Sequence, residues 1–128
     1  MNKLEHIGIA VSNLEESNRL FERLLGVAHY KIEEVASEGV RTSFFKVGDI
    51  KIELLEATRP DSAIAKFIEK RGEGIHHIAF DVDDAGKAPS GFQLINETPK
   101  DGADNKLITF LHPKTTNGVL IELCQDKK

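Results

Sequence analysis

One short strand pattern occurs twice in this chain, as His6-Ile7-Gly8-Ile9-Ala10-Val11 and as His77-Ile78-Ala79-Phe80-Asp81-Val82. Each copy is followed later by a second shared pattern, Ile52-Glu53-Leu54-Leu55 or Ile121-Glu122-Leu123-Cys124. The two histidines lie 71 residues apart and the two glutamates 69, so His…Glu recurs in step along the whole chain. An internal repeat of this kind means two copies of one supersecondary unit, and here each copy opens on one potential metal ligand and closes on another.

The 128 residues suit a single domain, 1–128, able to bury roughly two thirds of its unfolded surface. A net charge of −4, no Trp and one Tyr argue against a nucleic-acid groove or an anionic membrane surface, which call for basic fields and stacking rings. A polyanionic ligand must therefore be met by a local basic cluster. Cys124 is the only cysteine, so no intrachain disulfide forms and a reducing cytoplasm is the expected location. The chain enters a strand pattern at once, with no signal-peptide or transit character, and no stretch is apolar for long enough to span a bilayer.

Leu4 to Val11 alternates as a strand, with Ile7, Ile9 and Val11 on one face and His6, Gly8 and Ala10 on the other. Ser12 and Glu15 read as the capping box of a helix whose apolar stripe is Leu14, Phe21, Leu24 and Leu25 and which Gly26 ends. Strands are expected at 27–33, 40–47 and 50–56, with turns at Glu38-Gly39 and Gly48-Asp49. This makes module one, 1–58, a β-α-β-β-β unit. Pro60-Asp61-Ser62 starts a connecting helix, 60–71, on Ile64, Phe67 and Ile68, and Gly72 to Gly74 release it. Module two, 75–128, has strand patterns at 75–82, 92–96, 107–111 and 119–124. Its helix is missing, because Gly86 and Pro89 oppose one in the short stretch from Asp83 to Gly91. The expected fold class is α+β, two pseudo-symmetric βαβββ modules forming a cup-shaped mixed sheet, with the second-module helix truncated.

Because successive strand residues point to opposite sides, His6 shares its face with Gly8 and Ala10, and His77 shares its own with Ala79 and Asp81. Both histidines face a side cleared of bulk. Glu53 and Glu122 stand between apolar neighbours, where a lone carboxylate is costly to bury unless paired or coordinated. Joined side by side, the modules bring His6, Glu53, His77 and Glu122 together as a His₂Glu₂ set suited to a divalent transition metal such as cobalt, nickel, manganese or zinc. His76 points the other way and reads as a hydrogen-bonded residue behind the site or at the sheet edge. His29 and His112 have no counterpart in the repeat, and Cys124 reads as a small apolar core residue.

The longer segments from Pro60 to Phe80 and from Phe110 to Leu123, with His6 to Val11 and Ile52 to Glu56, resemble the methylmalonyl-CoA epimerase family. The His/Glu repeat alone resembles the wider vicinal oxygen chelate superfamily, which includes glyoxalase I. The resemblance implies metal-assisted deprotonation and reprotonation at C2 of methylmalonyl-CoA, interconverting its (2R) and (2S) forms, by a homodimeric enzyme. It implies Glu122 as a base that also touches the metal. Some members carry a Glu three residues after the glycine matching Gly39, and Thr42 stands there instead. Glu53, across the pseudo-symmetric site, is then the candidate second base. Lys100, Lys106 and Lys114 are candidates for the phosphates of coenzyme A, Lys106 and Lys114 foremost. The alternatives are a glyoxalase I-type lyase, or a catalytically inactive or binding homologue of the same fold.

The helix lost from module two should cover Ile78, Phe80, Val82, Ile121 and Leu123. Exposing each of these costs about 1.5–3 kcal/mol, in sum comparable to a whole domain's stability. The expectation is that cover comes from residues missing from the numbering or from a partner subunit, or that the chain has been altered.

Overall fold

The structure is a computed structural model and describes residues 1–127. The chain divides into two compact units, one of Ile7–His76 and one of Met1–His6 with His77–Lys128. Strand β1 (Lys3–Ala10) begins in the second of these and ends in the first.

Within the Ile7–His76 unit, β1 leads into helix α1 (Leu14–Leu25), strands β2 (Lys31–Val35), β3 (Val40–Val47) and β4 (Ile50–Ala57), helix α2 (Ala63–Arg71) and the start of β5 (Gly74–Asp81). The strand order here is β2-β3-β4-β1, and β2-β3-β4 is an antiparallel meander. Gly39 at φ 66° turns the chain from a 3₁₀ turn at Ala36–Glu38 into β3, and Gly48 at φ 60° turns β3 into β4. Strand β2 starts later than the apolar pattern suggests, because Val27 is exposed and the chain first joins β3 through Tyr30 N, which donates to Phe44 O at 2.9 Å.

Helix α1 corrects two sequence expectations. Its cap is Asn13, whose side chain accepts from Glu16 N at 3.0 Å, while Ser12 N donates to Glu73 Oε2 at 2.7 Å. Asn caps as well as Ser, and starting one residue later puts Leu14 inside at the first helical position. Leu24 is 70% exposed. At 100° per residue the buried face follows Leu14, Asn18, Phe21 and Leu25, and Leu24 falls well off it. This face packs on Ile9, Val11, Phe45, Ile52 and Leu54. The opposite side of the strands carries Ala10, Val40 and Leu55, closed by Ile64, Phe67 and Ile68 of α2.

The other unit holds the start of β1, the end of β5, and strands β6 (Lys100–Gly102), β7 (Lys106–Leu111) and β8 (Ile121–Asp126), in the order β1-β5-β8-β7-β6. Strands β5 and β8 run parallel, with Ala79 opposite Glu122, and β8-β7-β6 are antiparallel. The expected strand at 92–96 is not formed. Leu94 makes one isolated bridge to Leu111, flanked by Ile95 N donating to Phe110 O and His112 N donating to Gln93 O. Strand β6 occupies the outer place instead, turned back by Asp104 and Asn105 at φ 61° and 58°. Both residue types tolerate the left-handed region better than most.

Residues 82–99 contain no helix, as Gly86 and Pro89 foretold, yet the sheet face behind them is not bare. Ala85 and Leu123 are fully buried in one cluster with Leu111, and Val82, Ala88, Leu94 and Ile121 pack around it. The Thr109 hydroxyl donates to Ala85 O, and Ala85 N donates to Gln125 Oε1, which pins the segment down. Ile78, Phe80, Val82 and Ile121 are half-buried. The segment thus supplies part of the cover itself, through Ala85 and Ala88 packed with Leu123, Val82 and Ile121, while Ile78 and Phe80 lie outside this cluster.

Candidate metal centre

Strand pairing builds the site in the unit of Met1–His6 and His77–Lys128. Ala79 is paired with Glu122, and His77 lies two residues before Ala79 on the same face of β5, so the parallel neighbour β8 delivers the Glu122 carboxylate beside the His77 imidazole. His77 Nε2 is 3.3 Å from Glu122 Oε1, His6 Nε2 is 3.7 Å from Glu122 Oε2, and the two Nε2 atoms are 3.0 Å apart. His6, His77 and Glu122 are 4%, 5% and 5% exposed. Phe110 sets its ring at right angles to His77, with centroids 5.9 Å apart.

These separations fit a metal. Atoms bound at about 2.0–2.2 Å to one ion stand about 3–3.5 Å from each other, and two imidazole nitrogens with a carboxylate are a common transition-metal donor set. All three donors lie within 4.8 Å of one another.

Two neighbours of this set were not foreseen as site residues. Glu5 Oε1 is 2.6 Å from His6 Nδ1, and Lys106 Nζ is 4.0 Å from the other Glu5 oxygen. The Cys124 thiol, two residues beyond Glu122 on the same face, donates to Glu122 Oε2 at 2.7 Å, while its body packs with Ala79 and Ile108 as expected. Repeat counting passed over Glu5 because the matching position in the second copy is His76. The only available signal was an acidic residue directly before a candidate ligand.

Glu53 belongs to the Ile7–His76 unit, where it is 4% exposed on β4, paired with Phe44 of β3 and 3.8 Å from Lys51 Nζ. Thr42 stands on β3 opposite Leu55, and its buried hydroxyl has no hydrogen-bond partner among the described residues. His76 packs edge-on against Phe67, and burial pushes its imidazole down to about 4, favouring the neutral ring. His29 pairs with Glu22, and His112 caps the 3₁₀ turn Pro113–Thr115. Lys106 forms ion pairs with Asp126 and Glu5, whereas Lys100 and Lys114 are exposed.

The chain belongs to the glyoxalase/bleomycin resistance protein/dioxygenase superfamily, which matches residues 5–110. Within it the chain is a member of the methylmalonyl-CoA epimerase family. It is 40% identical over 129 residues to the mitochondrial methylmalonyl-CoA epimerase of Dictyostelium discoideum, covering 96% of this chain and 78% of that one. A Streptomyces coelicolor methylmalonyl-CoA epimerase variant, solved in complex with 2-nitronate-propionyl-CoA, matches at TM-score 0.91 and 34% identity over 98% of this chain and 95% of that one. An uncharacterised protein of Bacillus subtilis is 41% identical over 99% of this chain and 94% of its own length.

Proposed function

We propose that this chain is a metal-dependent epimerase that interconverts (2R)- and (2S)-methylmalonyl-CoA. The observation that carries the reading is the convergence of His6, His77 and Glu122 in a buried cluster, in a chain of this family.

Epimerisation beside a thioester requires removal of the C2 proton from one face and return of a proton to the other. His6, His77 and Glu122 would hold a divalent ion, which would supply Lewis-acid stabilisation of the charge that develops on the thioester oxygen. Glu122 is the proposed base on one face. The Cys124 thiol bonded to one of its oxygens orients the carboxylate. Glu53 is the proposed fourth ligand and second base, a reading that rests on its place in the sequence repeat and on the burial of its carboxylate.

The substrate is an acyl-CoA, and its phosphates are assigned to Lys114 and Lys106. Lys114 is exposed, whereas a phosphate reaching Lys106 must compete with Asp126. Cobalt is the proposed ion, on the resemblance and the donor set, and the proposed state is a cytoplasmic homodimer. No helix among the described residues is long and apolar enough to cross a membrane.

Exchange of the C2 proton of methylmalonyl-CoA in deuterated water, with and without chelator, tests the reading. Exchange abolished by chelator and restored by Co²⁺ is the expected result. No exchange from protein fully loaded with metal rejects it.

A further inference from the structure

We infer that Glu5, backed by Lys106, is a positioning residue for His6: it holds the proton of His6 on Nδ1 and so presents Nε2 as the bare donor. The inference rests on the metal reading of the His6, His77 and Glu122 cluster and deepens it.

With Glu5 as a carboxylate, the geometry sets the hydrogen-bond roles. Glu5 is 7% exposed, and its Oε1 lies 2.6 Å from His6 Nδ1, a short contact for an N–H···O bond. An ionised carboxylate only accepts, so the hydrogen in that bond belongs to His6 Nδ1. In the neutral ring this places the lone pair on Nε2, the atom 3.0 Å from His77 Nε2 and 3.7 Å from Glu122. A buried carboxylate stays ionised only with a compensating charge, and Lys106 Nζ lies 4.0 Å from its second oxygen, itself anchored by Asp126 on β8. The row Asp126, Lys106, Glu5, His6 thus leads from the end of β8, across β7, to the imidazole on β1.

Glu5, His6 and Cys124 also form a cluster of donors in their own right. At 2.6 Å the Glu5 and His6 atoms are closer than two ligands of one ion, and the Cys124 thiol is spent on Glu122, so hydrogen bonding and not coordination describes this second group. Carboxylates behind a metal-bound histidine fix its tautomer and ring orientation, and their loss typically weakens metal binding by about 10–100-fold.

The test uses the full chain stripped of metal. Co²⁺ titration followed by visible absorption and calorimetry should show affinity falling about 10–100-fold in Glu5→Gln and by less, in the same direction, in Lys106→Met. Nitrogen-15 NMR of the metal-free wild type should find His6 as the Nδ1–H tautomer, with the Nε2–H form rising in Glu5→Gln. Co²⁺ affinity in Glu5→Gln within twofold of wild type overturns the inference. If that variant does not fold, the wild-type tautomer decides alone, and a dominant Nε2–H form overturns it. Failure of the wild-type chain to bind Co²⁺ counts instead against the proposed function, because the tautomer is read without metal.

Discussion

His6 and His77 present their Nε2 atoms to each other across 3.0 Å, with their rings 83° apart. Two neutral imidazoles in this pose need one proton between them and leave a carboxylate at 3.3–3.7 Å only partly engaged. An ion placed among the three takes all the lone pairs at once, so binding should stabilise the fold as well as arm it. At a free metal concentration 100 times the dissociation constant the gain is about 2.7 kcal/mol. For a chain of this size that corresponds to a rise in Tm of roughly 10 °C. Thermal melts with Co²⁺ and with chelator check this, and in His77→Ala the increment should vanish.

Glu56 ties the start of α1 to the sheet. One oxygen accepts from Leu14 N at 2.9 Å, and the other takes Arg41 Nε and Nη2 at 3.1 and 2.7 Å. Glu56→Ala leaves a helix N–H and a half-buried guanidinium without that partner, and should cost about 1–3 kcal/mol in urea unfolding. Co²⁺ affinity should not change, because no member of this network belongs to the metal cluster.

Arg41 also bonds Glu15 Oε1 at 2.9 Å and holds that carboxyl below its usual 4.5. With the folded value lowered, the stabilisation is present above about pH 4.5 and is lost as pH falls through the lowered value. Glu15→Gln should therefore lower the urea midpoint slightly at pH 7 and leave it unchanged near pH 2. An equal loss at both values would show that the charge of Glu15 has no part in it.

What the sequence made legible was whatever had a period. The alternation in β1 and β5, the register of His and Glu in the repeat and the glycine after α1 could all be read. They led to the fold class and to the three donors that meet in one unit. Strand β6 could not be read, because Lys100-Asp101-Gly102 has turn composition and is a strand only by virtue of β7 beside it. Phe92 to Asn96 failed the opposite way, since its apolar residues fit a strand while Phe92 and Ile95 remain exposed. Glu5 was invisible for a third reason. A carboxylate behind a ligand follows no repeat, and its role depends on Lys106, about a hundred residues away and brought near only by the pairing of strands.

Ala85 carries the cover that replaces the missing helix, so the segment should be sensitive to polarity at that one point. Ala85 is fully buried against Leu111 and Leu123. Ala85→Asp places a carboxylate there and should cost about 2–4 kcal/mol in unfolding experiments. Hydrogen exchange should then show faster labelling across residues 82–95. If exchange there is already complete within seconds in the wild type, the segment does not cover the face stably and the assignment fails.

Glu122 and Glu53 hold matching places in the repeat, and their glutamine variants separate the roles of base and ligand. A glutamine side chain can still bind a metal weakly through its carbonyl oxygen but cannot accept the C2 proton, so each variant should be examined for metal content and for turnover together. Glu122→Gln should lose about 10²–10⁴-fold in kcat, the range associated with a lost acid/base group, with the acyl-CoA KM little changed. Glu53→Gln should be similarly impaired in epimerisation, which needs both faces, yet retain exchange of the proton from the one substrate epimer whose C2 hydrogen faces Glu122. That asymmetry is the signature of two bases, since one base serving both faces would lose exchange from both epimers together. Full turnover of Glu53→Gln with normal metal content, beside an inactive Glu122→Gln, removes Glu53 from the mechanism.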